Sequence, residues 1–73
     1  MMRGGGEWKL KNRVKELREC NSMTQDKLGE MVGVSRITII SLEKGKYNPS
    51  IMLAYKIAKI FNLTIEEVFL FEG

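Results

Sequence analysis

Residues 24–50 read TQDKLGEMVGVSRITIISLEKGKYNPS, two short runs of helix-period apolar residues separated by only Gly33, Val34 and Ser35. Thr24 is a good N-cap for a helix over 25–32, because its hydroxyl can accept from an otherwise unpaired amide of the first turn. Met23 just before it can staple the start of that helix. Leu28, Met31 and Val32 make its apolar side, and Gly33 follows where the chain must turn, allowing a positive φ at no steric cost. Ser35 caps the next helix, over about 36–44, whose inner face is Ile39 and Leu42 and which Gly45 stops. Two helices joined so tightly cannot lie antiparallel over their full length. They cross steeply, as a helix-turn-helix unit over about 24–44.

Working outward, the segment near Lys11 to Cys20 predicts a first helix, with Val14 and Leu17 on one face and Lys11, Lys15, Glu16 and Glu19 around the rest. Asn21-Ser22 ends it. On the other side, Lys46-Tyr47-Asn48-Pro49 is a loop and Ser50 caps a fourth helix through Phe61. Its Ala54, Ile57, Ala58 and Phe61 repeat at spacings of three and four. Thr64 and Glu67 form the capping box of a short last helix with Ile65, Val68 and Phe69 inward. Phe69-Leu70-Phe71 then breaks the helical period; a spacing of two predicts a short edge strand, with Trp8-Lys9-Leu10 as its candidate partner. The fold class is therefore all-α, a compact bundle of four to five short helices with a short terminal β pairing. Residues 1–7 are set aside as a flexible tail or cloning remnant, leaving residues 8–73 as one domain.

With 73 residues, the chain supports one modest core and no separate sensing module, so the expected function is simple binding. No apolar run approaches the roughly 18 residues of a membrane span. The single cysteine, Cys20, allows no internal disulfide and fits a reducing cytoplasm; a small space-filling role suits it better than redox sensing. There is no histidine, and no carboxylates cluster at metal-ligand spacing, so neither a metal site nor a nucleophile with its base can be assembled. The reading excludes an enzyme and calls for no cofactor. The formal charge is +3, with basic residues crowded into the first two thirds and Glu66, Glu67 and Glu72 near the end. One basic face would attract phosphates with salt-sensitive affinity, although an ordinary solvated lysine face has the same composition.

Thr24-Gln25, Leu28 followed by a small residue, Gly33-Val34-Ser35, the Ile39 and Leu42 spacing, Glu43-Lys44-Gly45-Lys46 and Asn48-Pro49-Ser50 together resemble the Cro and lambda-repressor-like helix-turn-helix family, also called the XRE family. The resemblance runs over about residues 11–69. It implies a DNA-binding transcriptional regulator whose third helix enters the major groove while the second crosses the backbone. Arg36, Ile37 and Ser41 match the family's base-reading positions, and Gln25 matches a glutamine that touches phosphate or base. Thr38, Lys44, Lys46 and Asn48 match positions that contact or flank the phosphate backbone. Arg18 and Glu43 match a pair linking the first helix to the end of the third. The resemblance also implies a homodimer joined through the last helices or terminal segment, with Leu70, Phe71, Trp8 and Val68 as apolar candidates. Such a dimer reads two half-sites about 34 Å apart on double-stranded DNA.

Residue chemistry sharpens some of these assignments and leaves others open. Arg36 can donate two bonds to guanine O6 and N7. Ile37 offers only an apolar contact with a thymine methyl, and Ile40 is apolar where the family is usually polar. These two residues support the alternative of a protein-interaction module, such as an antitoxin or adaptor, because exposed apolar patches mark partner surfaces. Gln25 could equally be a solvated first-turn residue, and Lys44 and Lys46 ordinary cations at a helix C-terminus. Arg18 and Glu43 could be two surface charges contributing little. Tyr47 could pack on the fourth helix, and Trp8 suits a packing anchor. Gly29 stands where the family usually has alanine; glycine costs about 1 kcal/mol of helix propensity and is expected to loosen the unit slightly.

Overall fold

Four helices begin on hydroxyl caps at the positions the sequence marks for them. In the computed structural model, which describes residues 11–70, Thr24 opens α2 (Gln25–Val32) and accepts from the Lys27 amide. Ser35 opens α3 (Arg36–Glu43), accepting from Thr38, and Ser50 opens α4 (Ile51–Ile60), accepting from Leu53. Thr64 opens the short α5 (Ile65–Val68) with Glu67 completing a reciprocal capping box. Each cap satisfies one of the first-turn amides that lack a helical partner.

The first helix departs from this pattern. α1 spans Val14–Cys20, so the expected start at Lys11 is corrected by three residues. Lys11–Asn12 is instead a strand, β1, paired antiparallel with β2 (Phe69–Leu70), Lys11 opposite Leu70 and Asn12 opposite Phe69. The backbone amide of Arg13 continues the contact by donating to Val68 C=O at 2.9 Å. The strand after α5 is as expected at Phe69 and Leu70, but it takes Lys11–Asn12 as partner. Trp8, Lys9, Leu10 and Phe71, also named for this pairing, lie outside the described residues, as does the expected tail.

The ends of α1, α3 and α4 follow one chemistry. At the C-terminus of α1 the Ser22 amide donates to Glu19 C=O and the Met23 amide to Arg18 C=O, with Ser22 in the left-handed region at φ 53°. Asn62 (φ 60°) does the same after α4, and Gly45 (φ 77°) after α3. This paired reversal occupies carbonyls that the helix leaves open.

The core gathers Val14 from α1, Leu28 and Val32 from α2, Ile39 and Leu42 from α3, Ala54 and Ile57 from α4, and Val68 and Phe69 from the end of the chain. Met31, expected on the inner side of α2, is 48% exposed; the buried side is Leu28, Gly29 and Val32. Gly29 explains that rotation. A Cβ there would lie 2.7 Å from Val34 C=O, so the bare backbone of α2 faces the turn and α3, which turns Met31 outward. The glycine thus packs the unit closely, contrary to the loosening expected from its helix propensity. Among the described residues no helix is long and apolar enough to cross a membrane.

Candidate nucleic-acid interface

The first turn of α3 projects two long side chains into solvent. Arg36 is exposed and Ile37 is 72% exposed, while Ile39 and Leu42 on the opposite face are fully buried. Burial of alternate helical faces therefore sets the direction of Arg36 and Ile37. Ser35 Oγ lies 3.2 Å from Thr38 Oγ1 and also accepts from the Thr38 amide, so Thr38 is half-buried and held by the cap. Ser41 is half-buried one turn further on. Ile40 is also half-buried, which leaves Ile37 as the freely exposed isoleucine of this helix.

Beyond α3 the reversal at Gly45 is closed by the Lys46 amide donating to Ser41 C=O at 3.0 Å. Lys44, Lys46, Tyr47 and Asn48 are all exposed around it. Two cations and an amide thus flank the C-terminal end of the helix that carries Arg36 at its other end. Cys20 is exposed and free rather than space-filling.

Behind α3 lies a polar cluster. Arg18 Nε donates to Glu43 Oε2 at 2.7 Å, Nη2 to Glu43 Oε1 at 3.2 Å and Nη1 to Met23 C=O at 2.8 Å. Arg18 is only 8% exposed, so this is a buried, two-pronged ion pair and not the two surface charges that were the alternative. Its hydrogen bond to Glu43 raises the Arg18 pKa above the ordinary arginine value; attraction to Glu43 and Glu19 acts in the same sense, and burial opposes both. Gln25 Nε2 donates to Glu43 Oε1 at 3.1 Å, which ties the first turn of α2 to the last turn of α3 and rules out a purely solvated glutamine. Among the described residues no buried side-chain polar atom lacks a partner.

One contributor escapes the sequence reading. Asn12 Nδ2 donates to Leu42 C=O at 2.9 Å, and Asn12 Oδ1 accepts from the Val14 amide at 3.1 Å. An asparagine two residues before a helix is a recognisable local capping signal, but its second bond crosses the fold and no spacing announces it.

A family model described as helix-turn-helix, HTH_3, matches residues 14–68, the stretch from the first helix to the last. The chain belongs to this helix-turn-helix family. Relatives of the HTH_3 protein include an uncharacterized HTH-type transcriptional regulator of Archaeoglobus fulgidus, 56% identical over 63 residues, covering 86% of this chain and 89% of that protein. The HTH-type regulator YgzD of Bacillus subtilis is 52% identical, with 86% and 96% covered. Among solved structures, the restriction-modification controller protein C.AhdI of Aeromonas hydrophila superposes with a TM-score of 0.68 at 27% identity, over 75% of this chain and 83% of that one. The N-terminal DNA-binding domain of SinR from Bacillus subtilis gives 0.66 at 25%, over 74% and 80%. The HTH_3 protein is thus an XRE-type, DNA-binding transcriptional regulator and not an enzyme.

Proposed function

We propose that this regulator reads duplex DNA sequence-specifically, with α3 in the major groove and a second copy on the adjacent half-site. The observation that carries the reading is the outward first turn of α3, where Arg36 and Ile37 stand exposed on a helix whose other face is locked into the core. Arg36 is suited to guanine O6 and N7, and Ile37 to a thymine methyl. Ser41 supplies a hydroxyl one turn on. Gln25 contacts base or phosphate from α2 while Glu43 orients it. Thr38, Lys44, Lys46 and Asn48 meet the phosphates; this part of the interface is insensitive to sequence and sensitive to salt. Residues 8–73 act as one DNA-binding domain, in the cytoplasm, with no cofactor.

Dimerisation is part of the reading, with altered candidates. Val68 is 0% exposed and belongs to the chain's own core, so it cannot meet a partner, whereas Leu70 is exposed. Trp8 and Phe71 fall outside the described residues. Further apolar side chains open to a partner lie on α4: Ile51, at 74% exposed, with Met52 and Tyr55. Ile51 and Tyr55 line a groove between α4 and α5 to which α4 also contributes Lys59 and α5 contributes Glu66 and Glu67. A two-fold contact that crosses the groove would pair Lys59 of each copy with Glu66 and Glu67 of the other. The same α4 surface and Ile37 favour the second reading, an antitoxin-like or adaptor module that grips another protein.

Selection of bound sequences from a random duplex pool at near-physiological salt, followed by titration of the selected duplex at several salt concentrations, tests the proposal. A pseudo-palindrome with half-sites about one turn apart is the expected result. Absence of any enriched sequence, with only weak salt-sensitive binding, would reject sequence reading and favour the protein-interaction module.

A further inference from the structure

We infer that Asn12 is a positioning residue for α3, coupling the β1–β2 pair to the C-terminal end of the helix that reads DNA; this rests on the reading of α3 given above. Two bonds of the Asn12 amide to described residues point to different elements. Oδ1 accepts from Val14, the first residue of α1, and Nδ2 donates to Leu42 C=O in the last turn of α3, 30 positions away in sequence. An N–H on one side and a carbonyl on the other demand one acceptor and one donor, so asparagine fits in a single orientation and aspartate cannot serve both.

Asn12 is in turn held from behind. Its backbone lies opposite Phe69 in the strand pair, Phe69 is nearly fully buried, and the next residue donates its amide to Val68 C=O. The far end of α3 is therefore fastened at two successive residues: Leu42 by Asn12 through the backbone, and Glu43 by Arg18 and Gln25 through the side chain.

Leverage makes the fastening matter. α3 has eight residues, about 12 Å at 1.5 Å per residue, so a tilt of about 10° pivoting on the C-terminal turn moves Arg36 by about 2 Å. Hydrogen bonds to base edges weaken steeply over a much smaller displacement. A slack C-terminal turn costs discrimination between sequences before it costs general attraction to phosphate, because phosphate contacts tolerate more movement.

Asn12→Asp in the full chain separates the two bonds. Aspartate still accepts from Val14 and its charge suits the start of α1, but it cannot donate to Leu42. Amide hydrogen exchange reads the clamp directly: the Gly45 and Lys46 amides, which bond Leu42 and Ser41 carbonyls, are expected to exchange about fivefold faster, with those of Leu17 and Asn21 unchanged. The DNA readout is the ratio of affinity for the selected duplex to that for an unrelated duplex, in which the added charge cancels. It should fall about fivefold. Asn12→Ala removes both bonds and should speed exchange in α1 as well. Wild-type exchange at Gly45 and Lys46 in Asn12→Asp would overturn the clamp, and faster exchange with an unchanged affinity ratio would overturn its role in positioning. A wild-type chain that fails to discriminate between duplexes would instead reject the DNA reading, and with it any positioning role, whatever the exchange data say of the clamp.

Discussion

Arg36 and Lys46 sit at opposite ends of one helix and its reversal, and the proposal assigns them different chemistry. Arg36→Ala should cost roughly 1–3 kcal/mol at a single base position and relax the preference there. Lys46→Ala should weaken all sequences alike and reduce the salt slope by about 1. Affinity measured on a set of single-base variants at several salt concentrations separates the two, and equal behaviour of both substitutions would show the site to be misassigned. Gly29 presents a different contest at the same scale. Helix propensity alone gives Gly29→Ala a gain of about 1 kcal/mol, but the new Cβ would meet the Val34 carbonyl at 2.7 Å. Backbone cannot swing aside as a side chain does, so the overpacking penalty of about 1–3 kcal/mol should win. A lower urea midpoint is expected; a higher one would mean that the turn yields readily.

At the scale of the element, the helix ends carry removable strain. Ser22 terminates α1 in the left-handed region, where a Cβ crowds the following carbonyl. Its amide already makes the reversal's hydrogen bond to Glu19, so Ser22→Gly changes the conformational cost and leaves the bond intact. The gain should be about 0.5–1 kcal/mol, visible as a raised thermal midpoint with unaltered DNA affinity. Unchanged or lower stability would mean that the extra freedom of glycine in the unfolded chain cancels the relief. The hydroxyl caps were legible because each is a local event within four residues. The start of α1 was not, because Lys11 and Asn12 satisfy a helical pattern as well as they satisfy a strand, and the choice is made by Phe69 and Leu70 at the far end of the described chain.

Across the whole molecule, the Arg18–Glu43 pair joins α1 to α3, and its effect on stability has a definite pH signature. The Arg18 pKa is raised in the folded chain. Its contribution is therefore fully present below the ordinary arginine range and is lost only as pH rises through the elevated folded value. Arg18→Ala leaves Glu43 in a buried place without its cation, at a cost of about 3 kcal/mol, and that cost should be the same at about pH 7 and about pH 10 because arginine stays charged throughout. Chemical denaturation of wild type and variant at both values checks it. A deficit that shrinks by pH 10 would point to some other titrating group behind the effect.

The helix-turn-helix unit was legible along the chain alone, because caps, apolar spacing and a three-residue turn are relations between near neighbours. Thr24, Ser35, Ile39 and Leu42 do in the fold what their spacing implies, and Arg36 and Ile37 point outward because Ile39 and Leu42 point in. Whether Arg18 and Glu43 were a buried pair or stray surface charges, whether Gln25 was solvated or tied down, and what Asn12 touches were all undecided at that level. Each depends on which of several distant partners comes within about 3 Å, and that is set by the packing of α1, α3 and the strand pair around a shared core. Gly29 shows the same division: its propensity belongs to the chain, but its close approach to Val34 exists only once α2 and α3 have crossed.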